Sequence, residues 1–330
     1  MLLKSIGIFV PPKKGRRPPP GDRPIVKATQ HLLTEQIQCI FGHSFRRTEK
    51  GLTMDGLSTN GQQWTEHLNQ SICAVYDRFP SQLRSQTFQP MMKVILPSPM
   101  GNPYGFTLLC RDKIKTQRWL EENGIQMPEL VTEHHRFKAK LSDWGAGFIK
   151  PQFGALGKSI QKVTTQSSLP TELPGLMPDE PEPAILQQAI DPPKGYAGMS
   201  VRCLIQRKDN ARWIVRSPVL RFSTQDPVVN VSRGAKARAA VDMLPEACLQ
   251  EMKQKAIHIG TLISALDWGR FALECGIDFV IDTNYRPWIV ELNSRPRGRL
   301  EHLAHTEPDR FGEEHIDALA QPIRCLVNLL

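Results

Sequence analysis

Two apolar runs near the C-terminus constrain this chain more than any other feature: Gly276-Ile-Asp278-Phe-Val-Ile-Asp282 and Trp288-Ile-Val-Glu291-Leu-Asn293. Both are rich in β-branched and aromatic residues, and Thr283-Asn284-Tyr285-Arg286 between them reads as a turn, so the stretch is predicted to be a β-hairpin. Pairing Asp282 with Pro287 sets Asp278 opposite Glu291. Side chains alternate along a strand. One face then carries Ile277, Phe279, Ile281, Trp288, Val290 and Leu292, and the other Asp278, Val280, Asp282, Ile289, Glu291 and Asn293. Like charges placed directly opposite destabilise a sheet, so the hairpin needs a reason to hold two carboxylates together. A divalent cation is the simplest one, and three oxygen donors on one face suit Mg²⁺. The alternative is a solvated polar face with no ligand.

The 330 residues suffice for two or three domains with cores of their own. A hydrophobic content of 40% with 23% charged residues is that of a globular protein. The 7 cysteines are scattered and form no CxxC pair, which excludes a disulfide framework or a zinc site and points to a reducing compartment. No apolar run approaches the ~18 residues of a membrane span. The apolar Ile6–Val10 is too short for a signal sequence and reads as a first strand, so a cytoplasmic protein is expected. The net charge of +9 owes much to residues 1–24, which hold Lys4, Lys13, Lys14, Arg16, Arg17 and Arg23 against Asp22. A basic, Pro-rich segment from Pro11 to Pro24 can be a solvated linker or an anion-binding arm. It lacks the interleaved aromatics of a nucleic-acid stacking surface, which argues against nucleic acid as a partner.

Along the chain, residues 1–110 read as a small α/β domain. A strand is expected at Ile6–Val10, helices at Ile25–Ile40 and Trp64–Tyr76, and a strand at Met91–Leu96. Asp112 is an N-cap for the helix that begins at Lys113, and Asn123-Gly124 is its stop. Phe148-Ile-Lys150-Pro-Gln-Phe-Gly154-Ala-Leu-Gly157-Lys158-Ser159 reads as a strand running into a glycine loop, followed by a second strand to Val163. Such loops turn backbone N–H groups toward phosphate, and a strand-end lysine adds point charge. It is not a Walker A loop, because Gln152 stands where that pattern has glycine and no helix follows. Thr164–Pro183 is a loop and Ala184–Ile190 a short strand. Residues 200–238 form a basic tract with strands at Val201–Gln206 and Trp213–Val215; most of its arginines read as a solvated face. Helices are expected at Pro245–Leu266 and Ile316–Leu330.

The order of these motifs resembles the ATP-grasp superfamily over about residues 110–298. The succession is Lys113, Lys150 with its glycine loop, Leu186-Gln187-Gln188-Ala-Ile190, Asp278, and Glu291-x-Asn293. The YheC/YheD-like subgroup, endospore coat-associated proteins, is most similar, through Gly276-Ile-Asp278, Pro287-Trp-Ile-Val-Glu291-Leu-Asn293-Ser-Arg295-Pro296, Val201-Arg202 and Asn230-Val-Ser-Arg233-Gly234. Ser200 departs from it, since an acid is expected there, and Ala235 stands where a second glycine is usual.

The resemblance implies an α/β fold with α+β character in its ATP-grasp part. A pre-ATP-grasp domain at 1–110 would precede a two-lobed ATP-grasp domain at 111–330, with a small ATP lobe at about 111–190 and a large lobe at about 191–330. It implies that Lys113 and Lys150 contact ATP phosphates and that Gly154, Gly157, Lys158 and Ser159 close over the triphosphate. Gln187, Gln188 and Ile190 would line an adenine hinge, mostly through backbone. Asp278, Glu291 and Asn293 would hold Mg²⁺. Arg202, Arg233 and Arg295 would hold the substrate carboxylate or an acylphosphate, as arginine forks suit such anions. The implied activity is an ATP- and Mg²⁺-dependent carboxylate–amine ligase acting on small molecules, peptides or a protein. The alternative is a structural, spore-coat-like protein that binds ATP with little turnover.

Overall fold

The computed structural model describes residues 3–12, 23–79, 88–153, 159–175, 180–229, 234–296 and 300–330. Three sheets organise them. The first is built from β1 (Lys4–Phe9), β2 (Ile37–Thr48), β3 (Gly51–Thr59), β4 (Trp64–Ser71), β5 (Ala74–Asp77) and β6 (Met100–Gly101), in the order β4-β3-β2-β1-β5-β6. β1 runs parallel to β2 and to β5. Helix α1 (Pro24–Thr34) links β1 to β2, and α2 (Gln89–Ile95) precedes β6.

Three expectations for this region are corrected. The apolar spacing that predicted a helix to Ile40 belongs to two elements. α1 ends at Thr34, Gln36 takes φ +61°, and the strand begins at Ile37. Trp64–Tyr76, predicted as a helix, is β4 followed by β5. Its i, i+4 apolar residues coincide with helical spacing by chance: Leu68 is exposed, Ile72 buried, and pairing with β3 decides the conformation. Met91–Leu96, predicted as a strand, is helix α2, with Met92 and Ile95 buried at i, i+3 and Pro90 in its first turn. A short apolar run does not distinguish the two states.

Helices α3 (Tyr104–Arg111) and α4 (Lys113–Glu122) lead to the second sheet. Asp112 caps α4 as expected, accepting from the N–H groups of Ile114 and Lys115. The sheet is antiparallel: β7 (Leu130–Val131), α5 (Phe137–Trp144), β8 (Gly147–Pro151), β9 (Gln161–Val163), β10 (Glu172–Pro174) and β11 (Pro181–Gln188) give the order β10-β11-β8-β9, with β7 on β11. Thr164–Pro183, read as a loop, contains β10 and the start of β11.

The third sheet follows: β12 (Gly198–Arg207), β13 (Trp213–Val215), β14 (Val219–Ser223), β15 (Lys236–Ala239), α6 (Glu246–Ser264), β16 (Glu274–Ile281) and β17 (Pro287–Asn293). The strand order is β15-β14-β12-β16-β17, with β13 on β12. One face packs Val201, Cys203, Ile205, Ile277, Phe279 and Leu292 against α6. The chain ends in α7 (Leu300–Thr306) and α8 (Pro308–Asn328). α8 starts earlier than the predicted Ile316 and carries Pro322 within it. Its Ile316, Ala320, Ile323 and Leu326 pack on Ile6 and Ile8 of β1, Leu32 of α1 and Tyr76 of β5.

Buried polar contacts lock the first sheet to the third. Glu274 accepts from the Tyr76 hydroxyl at 2.6 Å and from Arg78 at 2.8 Å. Asn102 accepts from the Leu273 N–H at 2.8 Å and donates to the Ser294 carbonyl. These bonds fix the ends of β16 and β17, which carry the hairpin carboxylates.

Candidate active site

The hairpin forms, with a register that differs at the turn. Pro287 pairs with Ile281 and not with Asp282, and a bulge between Asp278 and Phe279 restores the expected pairing, so that Asp278 does face Glu291. The bulge exchanges two side chains between faces. Ile289 is in the core, while Trp288 donates its indole N–H to Asp282 at 3.1 Å. Val290, expected among the buried apolar residues, is half-buried and lines a cleft.

Asp278 sits in a knot of charge. Arg202 donates to it through Nε and Nη2, both at 2.6 Å, and Arg221 through Nη2 at 3.0 Å. Asn293 adds an N–H at 3.3 Å. Burial works against the Arg202 charge, but Asp278 outweighs it and holds the guanidinium above its ordinary pKa. A Cβ on Gly276 would meet Arg202 Cδ and Nη1 at 3.3 Å and Pro296 at 2.9 Å, so the glycine makes room for this arginine. Two arginines thus place positive charge against Asp278, one of the two hairpin carboxylates. Arg221 was missed: the basic tract was read as solvated, yet this residue is buried. The sequence gives one hint, the two-residue alternation that sets Arg221 on the opposite face from the core residue Leu220.

Glu291 points elsewhere. It makes no hydrogen bond or ion pair among the described residues and lines a cleft with Lys113, Thr116, Gln117, Lys150, Gln187, Cys110 and Leu130. The cleft therefore lies between α4, the second sheet and the hairpin. Lys150 is 5% exposed, and its Nζ donates to Gln187 Oε1 at 2.7 Å. Burial, reinforced by Lys113, lowers its pKa to about 7, while Glu291 opposes the shift. Burial also lowers Lys113, against the pull of Glu291, Glu182 and Asp112. Gln187 Nε2 donates to Gln117 Oε1 at 3.2 Å, and Gln117 Nε2 to the Pro128 carbonyl at 3.0 Å. This amide chain orients the Gln187 oxygen toward Lys150. Gln117 was not anticipated, although it lies four residues after Lys113 on the same helix face.

Residues 167–316 match the family model described as YheC/D-like ATP-grasp. Over those residues the chain is similar to that family. Its fold is similar to that of D-alanyl-alanine synthetase A from Vibrio cholerae O1 biovar eltor (TM-score 0.58, 15% identity, 99% of this chain and 100% of that one). It is also similar to the ATP-grasp ligase PsnB, solved with a phosphomimetic variant of its minimal precursor, Mg and ADP (TM-score 0.59, 16% identity, 98% and 100%). The VanG D-Ala:D-Ser ligase from Enterococcus faecalis gives a TM-score of 0.56 at 14% identity, covering 100% of this chain and 99% of that one. No curated protein matches the chain by sequence. No helix among the described residues is long and apolar enough to cross a membrane.

The remaining expected residues divide as follows. Gln188 is half-buried, with its N–H held by the Glu129 carbonyl at 2.8 Å, and Ile190 lies just beyond the end of β11. Ser159 takes φ +59° and donates to the Pro174 carbonyl at 3.0 Å. Arg295 pairs with the fully buried Asp77 and lies 5.8 Å over the Phe88 ring. Its Nε and Nη1 are buried and have no partner among the described residues. Gly154, Gly157, Lys158 and Arg233 lie outside the described residues, as does most of the basic segment 11–24.

The oxygen donors fit a divalent cation in part. No group of three or more His, Cys, Asp or Glu side chains among the described residues is placed to hold a metal. Among the described residues Glu291 has no hydrogen bond or ion pair, and Asn293 Oδ1 accepts none. Both Asp278 oxygens already accept from guanidinium groups.

Proposed function

We propose that the chain is an ATP- and Mg²⁺-dependent carboxylate–amine ligase that forms an amide or peptide bond through an acylphosphate. The observation that carries this reading is the buried Lys113/Lys150 pair. Among the described residues, Lys150 has a neutral amide as its hydrogen-bond partner, so its charge is compensated by no carboxylate in contact. Polyphosphate is the anion that two adjacent buried ammonium groups suit. Closing of the 154–159 loop over the phosphates, and an adenine hinge at Gln187, Gln188 and Ile190, belong to the same proposal, as does the division into units at 1–110 and 111–330. The cleft leaves no room for a nucleotide as it stands, so in this reading the lobes part to admit one.

In this reading Lys113 and Lys150 hold the phosphates of ATP and screen the charge of an incoming carboxylate. Glu291 and Asn293 would hold Mg²⁺, joined by Asp278 if an arginine gives way, and the ion would neutralise phosphate oxygens. A substrate carboxylate oxygen attacks the γ-phosphorus, the bond to the β-phosphate oxygen breaks, and ADP leaves. An amine then attacks the acyl carbon, phosphate leaves with the former carboxylate oxygen, and the amine loses a proton. Arg295, with two nitrogens that have no partner among the described residues, is suited to hold the acyl anion. Arg202, locked on Asp278, is a positioning residue instead.

With ¹⁸O in the substrate carboxylate, one label is expected in inorganic phosphate for each amide formed. Formation of AMP and pyrophosphate, or unlabelled phosphate beside the product, rules the mechanism out. ATP binding without ADP release for any acid tested supports the structural-protein alternative.

A further inference from the structure

The buried lysine of the cleft is held by an amide, and an amide has two faces. Lys150 Nζ donates to Gln187 Oε1 at 2.7 Å. Turned over, the same side chain would set its NH₂ group against the ammonium, donor against donor. The bonds behind Gln187 fix which face is presented. Gln187 Nε2 donates to Gln117 Oε1 at 3.2 Å. Gln117 Nε2 donates in turn to the Pro128 carbonyl at 3.0 Å and to Glu121 Oε1 at 2.8 Å. A backbone carbonyl can only accept, as can an ionised carboxylate. Both Gln117 N–H groups must therefore point at those acceptors, and its oxygen must face Gln187. The sense of the whole chain is set at that end. Gln117 is 5% exposed and Gln187 4%, so little water is at hand to replace a lost partner, and a flipped amide would leave buried groups unmatched.

We propose that Gln117 is a positioning residue for nucleotide binding: it fixes the Gln187 amide so that Lys150 meets an oxygen. That contact seats the ammonium without neutralising it and leaves its other N–H groups for phosphate. A carboxylate at position 187 would hold the lysine with no such help, but it would cancel the charge. The positioning role rests on the reading of the cleft as a phosphate site; the chain of amides does not.

The test combines ligand binding to the full chain with hydrogen exchange of the Gln187 side-chain amide, followed by NMR. Without ligand, that amide is expected to exchange slowly in the wild type and faster in Gln117→Leu, a change that nearly keeps the side-chain volume. Gln117→Leu is expected to weaken ATP about tenfold, the worth of one hydrogen bond to a charged group, with adenosine affinity nearly constant. In a Gln187→Glu background, where either oxygen can face Lys150, the same change is expected to cost ATP nothing further. Fast exchange in the wild type overturns the amide chain, and ATP binding beside it leaves the phosphate reading standing. Unchanged ATP affinity in Gln117→Leu, an equal loss for adenosine, or an equal loss in the Gln187→Glu background overturns the positioning role, because a residue that only fills space acts alike in each case. If the wild type binds no ATP although its amide is protected, the phosphate reading falls and takes the positioning role with it.

Discussion

The lysine cleft and the arginine knot lie on either side of the hairpin and treat charge in opposite ways. In the knot, Asp278 is saturated by Arg202 and Arg221, and the cluster holds itself together. In the cleft, Lys150 is buried against a neutral amide, and Glu291 across from it forms no ion pair among the described residues. A buried charge that is paired is part of the scaffold; one left against a neutral group marks where a charged ligand enters. The two carboxylates of the hairpin, equivalent in sequence, therefore have different tasks.

The largest effect expected from this contrast is in the knot. Asp278→Asn leaves two guanidinium groups buried without their carboxylate and should destabilise the protein by about 3–5 kcal/mol, read from denaturant unfolding. A loss below ~1 kcal/mol would show that the arginines are solvated and the knot is not structural. In the cleft the effect should fall on binding. Lys150→Ala is expected to weaken ATP on the order of 10–100-fold, the worth of one charge-assisted hydrogen bond, while adenosine affinity stays nearly constant. Equal losses for both ligands would place Lys150 on the base and not on the phosphates.

The pH dependence of stability sharpens the same comparison. Lys150 has its pKa lowered from 10.5 to about 7 in the folded protein, so between those values the unfolded chain binds more protons. Stability should then rise with pH through this window, by at most about 1.4 kcal/mol per pH unit from this group, and Lys113 shifts in the same direction. Lys150→Met should flatten the slope; an unchanged slope would place the linkage elsewhere. ATP affinity should fall as pH rises past about 7, since the neutral amine gives up its charge there. The smallest change in stability is expected for Glu291→Gln, within ~0.5 kcal/mol, together with weaker Mg²⁺-dependent nucleotide binding. If Mg-ATP affinity does not change, the metal role of Glu291 is wrong.

Much of this was legible in the residues because it is local. The Asp112 cap, the alternation of β16 and the stop at Asn123 depend on neighbours within a few positions. Trp64–Tyr76 and Met91–Leu96 were misread in opposite directions, because short apolar runs fit either period and the neighbouring strand or core decides. The turn-end register was off by one for a related reason: a bulge is an adjustment of strand pairing that no spacing announces.

By itself, then, the sequence determined the hairpin, the pairing of Asp278 with Glu291, and the succession of lysines, glycine loop and carboxylates that carries the ATP-grasp resemblance. Those properties follow from side-chain period and chain order. Tertiary structure alone decided which partner each charge received. Arg202 and Arg221 reach Asp278 from strands 76 and 57 residues away in the chain, and Lys150 meets Gln187 across 37. Burial and compensation are set by whatever folds alongside, and a linear pattern carries no record of that distance.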